Sequence, residues 1–511
     1  MKSNRLPKDF NPGAIATVAA LLLVSVVAST RATHPSQREA ILKPCEIQGV
    51  EGKKLCGTYE VFENRATKQG RKIGIKIVVF VATGEHAEPD PFIYIPGGPG
   101  SSATEDAPYL AKPFAKIRER RDLLFIDQRG TGGSNPLNCV MFDPADLQGY
   151  LGYFFPLEAI RKCRKELENT ADLKLYTTTI GMDDFDEIRE ALGYKQLNLY
   201  GASYGTRSSL TYLKRHGAHV RTATLFGVSP TDQLMPRAFP QDTERALQGV
   251  LSECVADQAC NKAFPNLKSE AKAVLARLLK GPVEVAVKRD AASGNNAGTD
   301  SAKKTVDKVN LRLSRDLVAE AIRYMLYSPS AARRIPLYLH LAAGGDFEPL
   351  ALAALDYRRN LVATGSNGMY LTVTCAEDLP WVNAGEATRL AAGTFLGDYR
   401  YRQQHEACEL WPRATIEPDY REPVRSDVPV LIFTGEWDPV TPPSNGAGVA
   451  KYLPQSLHVI VPHGGHGFNG LEGTDCVDRI QSEFVARGTT KGLDTSCIKA
   501  IHRKSWALEK Q

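Results

Sequence analysis

Short apolar runs and segments of helical period alternate along most of this chain. Ile73 to Val81 is rich in β-branched residues, and Phe92 to Ile95 and Leu123 to Ile126 are brief apolar runs bounded by turn formers. Runs of this kind suit buried strands of a mostly parallel sheet. Between Met182 and Leu192 the apolar positions Phe185, Ile188 and Leu192 recur at helical spacing, with Asp183 and Asp184 at the predicted start and Gly193 at the stop. Leu197 to Tyr200 then reads as a strand, Tyr204 to His216 as a helix closed by Gly217, and Thr222 to Phe226 as the next strand. From Thr231 to Arg425 helical patterns dominate, as at Leu317 to Met325 and Leu350 to Tyr357, and the polar stretch Asp290 to Asp300 reads as an exposed loop. Strand-turn-helix alternation resumes at Val430 to Thr434 and His458 to Val461. The pattern predicts one α/β domain, residues 40–230 and 426–511, interrupted by a largely helical insertion over 231–425.

Composition changes this picture little. With 511 residues, 43% hydrophobic and 24% charged, the chain is long enough for two or three folded units. The formal charge of +5 is spread over 63 basic and 58 acidic side chains with no long basic run, so no nucleic-acid partner is expected.

The N-terminus adds more. Lys2, Arg5 and Lys8 precede an apolar run from Gly13 to Ala28, followed by small and polar residues such as Ser29, Thr30 and Ala32. This is the order of a cleavable export signal, here residues 1–32. The run is short for a membrane span, which needs about 20 apolar residues, so no stable membrane association is expected after cleavage. The ten cysteines fall into sequence-local pairs: Cys45 with Cys56, Cys139 with Cys163, Cys254 with Cys260, Cys375 with Cys408, Cys476 with Cys497. In an exported chain, secreted or periplasmic, disulfides are the expected state. Paired Cys-x-x-Cys motifs are absent, so neither a metal nor another cofactor is expected.

The chemistry concentrates in three loops. Ser203 lies in Gly201-Ala202-Ser203-Tyr204-Gly205, directly after an apolar strand and at the start of a helix. Gly-x-Ser-x-Gly alone is a weak signal, but in this setting it is that of a nucleophile elbow. A serine hydroxyl needs a base oriented by a third group. Asp438 follows the strand at Val430 to Thr434, with Glu436 as the competing carboxylate. His466 follows the strand at His458 to Val461, with His463 as the competing imidazole in His463-Gly464-Gly465-His466-Gly467. Ser203, Asp438 and His466 are thus expected to form a triad in the chain order Ser, Asp, His. Pro96-Gly97-Gly98-Pro99-Gly100 follows an early strand, and because Pro99 has no N–H, the expected oxyanion donors are the amides of Gly98 and Tyr204.

Together with Asp127-Gln128-Arg129-Gly130-Thr131-Gly132-Gly133-Ser134, these motifs resemble the prolyl and tripeptidyl aminopeptidase family of α/β-hydrolases. The segment from Gly435 to the Gly-Gly-His-Gly turn resembles the C-terminal part of its secreted tripeptidyl members. The likeness covers nearly all of the chain past the leader except parts of the insertion. Two departures bear on specificity: Pro96 stands where many prolyl aminopeptidases carry His, and the insertion is longer than in compact cytosolic members. The resemblance implies an α/β-hydrolase fold with a helical cap, and structural roles for Asp127 and Arg129. It also implies acidic cap residues for the free amino group of a peptide substrate, with Glu377 and Asp378 as candidates. The function expected is a secreted serine exopeptidase acting on peptides with a free N-terminus; the alternative is a carboxylesterase with the same triad.

Overall fold

The computed structural model describes residues 37–288, 308–363 and 365–510. The leader expected over 1–32 and the loop expected at Asp290 to Asp300 lie outside the described residues.

A nine-stranded sheet runs through the molecule. Its strands are β1 (Leu42–Pro44), β2 (Lys54–Asn64), β3 (Gln69–Phe80), β4 (Phe92–Ile95), β5 (Leu123–Ile126), β6 (Leu197–Ala202) and β7 (Val220–Phe226). Outside the large sheet, β8 (Val283–Lys288) pairs with β9 (Lys308–Leu313) as an antiparallel hairpin, and β10 (Val430–Gly435) and β11 (Ser456–Val461) then complete the large sheet. Its order is β1-β2-β3-β5-β4-β6-β7-β10-β11. The run from β5 to β11 is parallel, whereas β1, β2 and β3 join it antiparallel. Every residue of β5 and of β10 is buried, which is why β5 and the Val430 to Phe433 stretch of β10 are continuously apolar rather than alternating.

Seven helices matter here: α1 (Thr178–Ala191), α2 (Tyr204–His216), α3 (Phe239–Ala256), α4 (Arg315–Met325), α5 (Glu348–Ala363), α6 (Asn367–Glu377) and α7 (Tyr399–Glu409). Helix α1 begins four residues before the predicted start. Thr177 accepts a hydrogen bond from the Ile180 amide at 3.3 Å and so caps the helix, leaving Asp183 and Asp184 in its second turn. Those aspartates serve tertiary contacts instead: Asp184 holds Arg129, and Asp183 pairs with Arg215 and His216. Helices α3 to α7 all lie between β7 and β10, together with the β8–β9 hairpin. Helices α3, α4 and α5 pack around a separate apolar cluster that includes Leu247, Val250, Ile322 and Leu355, whereas α6 places Met369, Leu371 and Val373 in the apolar cluster of the sheet.

Five disulfides join the cysteines in the sequence-local pairs named above. Among the described residues no helix is long and apolar enough to cross a membrane. Cys375–Cys408 spans 33 residues and ties α6 to α7. Closing a loop of that length is expected to contribute about 4 kcal/mol by chain entropy. Replacing both cysteines by Ser should therefore lower the denaturant midpoint, while non-reducing peptide maps of the unsubstituted protein should show five cross-links and no free thiol.

Candidate active site

Ser203 sits between β6 and α2 with φ 57° and ψ −123°, a region that non-glycine residues rarely enter. The conformation is held from both sides. Its amide donates to the Phe226 carbonyl at 2.8 Å, and its own carbonyl accepts from the Thr206 amide at 2.9 Å and from the Thr206 hydroxyl at 2.6 Å. Such strain persists where the surroundings over-determine it, and it points the side chain out of the turn. The glycine after the nucleophile is required by close approach: a Cβ on Gly205 would lie 2.0 Å from the Ile95 carbonyl oxygen. A Cβ on Gly97 would lie 3.0 Å from that of Ser203, so the Pro96–Gly100 loop abuts the serine directly.

Asp438 is fully buried in the loop after β10. Its Oδ1 accepts from the Val440 and Thr441 amides, each at 2.9 Å, and its Oδ2 accepts from the Thr441 hydroxyl at 2.7 Å. His466 Nδ1 lies 2.9 Å from the same Oδ2. Burial alone would raise the Asp438 pKa, but the charge and hydrogen bonds of His466 and Thr441 outweigh it and hold the carboxyl below its usual range. The group is therefore a carboxylate at neutral pH, fit to orient an imidazole and to stabilise an imidazolium. The competing residues are engaged elsewhere. Glu436 accepts from the His463 amide at 3.0 Å, and His463 Nδ1 lies 2.7 Å from Glu253, which also takes Trp437 and Arg503.

Ser203 and His466 line one cavity of about 380 Å³, together with Gly98 and Tyr204. Tyr204 is the first residue of α2, so its amide has no acceptor within the helix, and neither it nor the Gly98 amide meets another acceptor among the described residues. The helix dipole adds partial positive charge at the same place. The Asp127-Gln128-Arg129 run braces this region. Asp127 accepts from Ser102, Thr104 and Gly133 beyond the glycine loop. Gln128 donates to the Tyr204 phenol at 3.2 Å, and Arg129 is fully buried against Asp184.

Glu377 and Asp378 are placed differently from the expectation that they face a substrate amine. Neither lines the cavity, and both are buried. Glu377 accepts from the Thr178 amide and hydroxyl, each at 2.8 Å, and from the Tyr420 phenol. Asp378 accepts from Arg207 at 2.9 Å, and Arg207 lies 3.8 Å from Glu377. Burial works against the Arg207 charge, and Asp378, Tyr420 and Glu377 more than offset it, so the guanidinium stays protonated. Because Arg207 belongs to α2, these carboxylates brace the nucleophile's own helix. The acidic pair is a structural counter-charge, and a buried cation is what its position in the sequence concealed.

The far wall of the cavity comes from the helical segment: Tyr324 and Tyr327, Tyr357, Tyr370, and the guanidiniums Arg323 and Arg400. Among the described residues no aspartate or glutamate lines it. Tyr327 also meets the His466 ring edge-on at 4.8 Å. None of these residues was singled out by sequence, because their meeting depends on how the helices pack and on no local motif.

The alpha/beta hydrolase fold model matches residues 90–472. The chain belongs to the α/β-hydrolase fold family. Serine protease Hip1 of Mycobacterium tuberculosis is 25% identical over 498 residues, 88% of each chain. Tripeptidyl aminopeptidase of Streptomyces lividans is 26% identical, covering 86% of this chain and 83% of its own. Carboxylesterase B of M. tuberculosis is 27% identical, covering 90% and 89%. Peptidases and an esterase thus stand at similar identity, and what their names share is hydrolysis.

Proposed function

We propose that this α/β-hydrolase is a serine exopeptidase that releases short N-terminal units of a peptide through an acyl-enzyme on Ser203. In this reading His466 takes the serine proton and returns it to the leaving amine, while Asp438 fixes the imidazole tautomer. The amides of Gly98 and Tyr204 stabilise the oxyanion. The observation that carries the reading is the Asp438–His466 hydrogen bond at 2.9 Å beside the strained Ser203, in a cavity that Tyr327, Tyr357 and Arg400 of the helical segment also line. A cavity walled by a helical segment opposite the nucleophile suits a chain end better than the middle of a long peptide. The leader over 1–32 and the five disulfides support export to an oxidising compartment.

The carboxylesterase reading has its own support: among the described residues no carboxylate lines the cavity to meet an ammonium. With Glu377 taken up by Thr178 and Tyr420 and Asp378 by Arg207, the requirement for a free amine loses the residues that motivated it. One substrate panel separates the readings. Tripeptidyl anilides, free and N-acetylated, should both be cleaved, with kcat/KM values within about tenfold of each other, since no charge-assisted bond to the amine is gained or lost. Turnover of esters but of no anilide would favour the esterase. A preference of about 100-fold for the free amine would require an ammonium anchor that this cavity wall lacks.

A further inference from the structure

The cap wall of the cavity carries more positive charge than its own carboxylate can balance. Glu320, on α4, is the carboxylate behind it and is 1% exposed. It accepts from Arg323 at 2.6 Å, from Tyr357 at 2.9 Å and from the Tyr399 phenol. Burial opposes its charge, but Arg323 and Arg400 hold its carboxyl down at about 2. Around it stand three guanidiniums. Arg323 takes Glu320 directly. Arg358 donates to the Tyr150 and Tyr153 carbonyls at 2.9 and 2.8 Å.

Arg400, on α7, makes only a long ion pair to the same carboxylate. It is 4% exposed, it lines the cavity, and its guanidinium carbon lies 3.5 Å from the centre of the Phe154 ring. Nη2 donates to the Tyr370 phenol at 3.2 Å, and Nε lies 4.0 Å from Glu320. Nη1 is buried and has no acceptor among the described residues. A buried guanidinium donor without a partner is costly, and its natural complement is a carboxylate taken in fork geometry. The Arg358 guanidinium stands 4.5 Å from the centre of the same Phe154 ring, so the surroundings add positive charge rather than cancel it.

We propose that Arg400, held in place by the Tyr370 phenol, which accepts from its Nη2 and donates to Gln404 Oε1 at 3.2 Å, forms an anion subsite that binds a carboxylate on the acyl group delivered to Ser203. The inference rests on the reading of this cavity as the acyl pocket of a serine hydrolase. It deepens that reading by naming the substrate class: an acyl unit with an acidic end, whether a dicarboxylic half-ester or a peptide fragment with an acidic side chain. An ammonium set where that carboxylate would lie, six bonds from the acyl carbonyl and nearer to it than the α-ammonium of a tripeptidyl unit, should be disfavoured by the same charge.

Three p-nitrophenyl esters of equal chain length test this: hexanoate, the adipic acid mono-ester and 6-aminohexanoate. The expected order of kcat/KM is adipate, then hexanoate, then aminohexanoate, with adipate ahead of hexanoate by at least about tenfold and the difference residing mainly in KM. Arg400→Gln should collapse the adipate-to-hexanoate ratio to about one, and Arg400→Lys should keep part of it. A merely structural Arg400 would lower all three rates together and leave the ratios alone, which would overturn the subsite. Hexanoate ahead of adipate in the unsubstituted enzyme would overturn it as well. Fluorophosphonate labelling of the same samples separates the two failures: labelled Ser203 without the preference removes the subsite alone, whereas unlabelled Ser203 removes the hydrolase reading beneath it.

Discussion

Asp438→Asn is expected to lower kcat by about 10⁴ with the fold intact, because the amide holds the His466 ring in the wrong tautomer. His466→Ala and Ser203→Ala should each lower it by about 10⁶, and combining any two should add little, since the three groups act as one unit. The geometry ties these expectations together: a single carboxylate oxygen of Asp438 serves both His466 and Thr441. His463→Ala should be far milder in turnover, as its imidazole faces Glu253. Stopped assays on matched protein preparations, with circular dichroism to verify folding, check the series. A loss at His463 as large as at His466 would mean that the wrong imidazole had been assigned.

The second large effect is on stability. Arg207→Met leaves Glu377 and Asp378 buried without their cation, and breaking such a cluster by removing one partner is expected to destabilise by about 3–5 kcal/mol. Because Arg207 lies one turn into the helix that begins after Ser203, labelling of the serine should weaken in the same variant. Glu377→Gln should behave in kind: it should lower the denaturant midpoint and reduce turnover of free-amine peptides, acetylated peptides and esters alike. Chemical denaturation followed by tryptophan fluorescence measures the first effect, and the substrate ratio measures the second. Selective loss on free-amine peptides would instead return Glu377 to the substrate.

The legible parts of this molecule were those whose signal is local. Phe92–Ile95 and Leu123–Ile126 read as strands to the residue, because a strand buried on both faces is an apolar run with turn formers at each end. The Ser203 elbow was legible because a strand, a tight turn and a helix lie consecutively in sequence. Other elements carried a signal that apolar runs alone do not capture. Val283, Val285 and Val287 are buried while Glu284, Ala286 and Lys288 are exposed, the period-two pattern of β8 inside a segment otherwise read as helical. Strand β2 mixes Tyr59, Val61 and Phe62 with Glu60 and Glu63, as an antiparallel strand near the sheet edge does, and so did not stand out as an apolar run. Glu377 and Asp378 show the harder limit. An acidic pair reads the same whether it awaits a ligand or faces Arg207, which is 170 positions earlier than Glu377 in the chain and reaches it only through the fold. The cavity wall built by Arg323, Tyr357 and Arg400 is likewise a product of helix packing.

The most direct test of the catalytic account is covalent trapping. Incubation with a fluorophosphonate, followed by intact mass measurement and peptide mapping, should show one adduct per chain. That adduct should lie on Ser203 and should be lost in Ser203→Ala and strongly slowed in His466→Ala. A stoichiometric adduct on any other serine, or full reactivity at Ser203 without His466, would contradict the account.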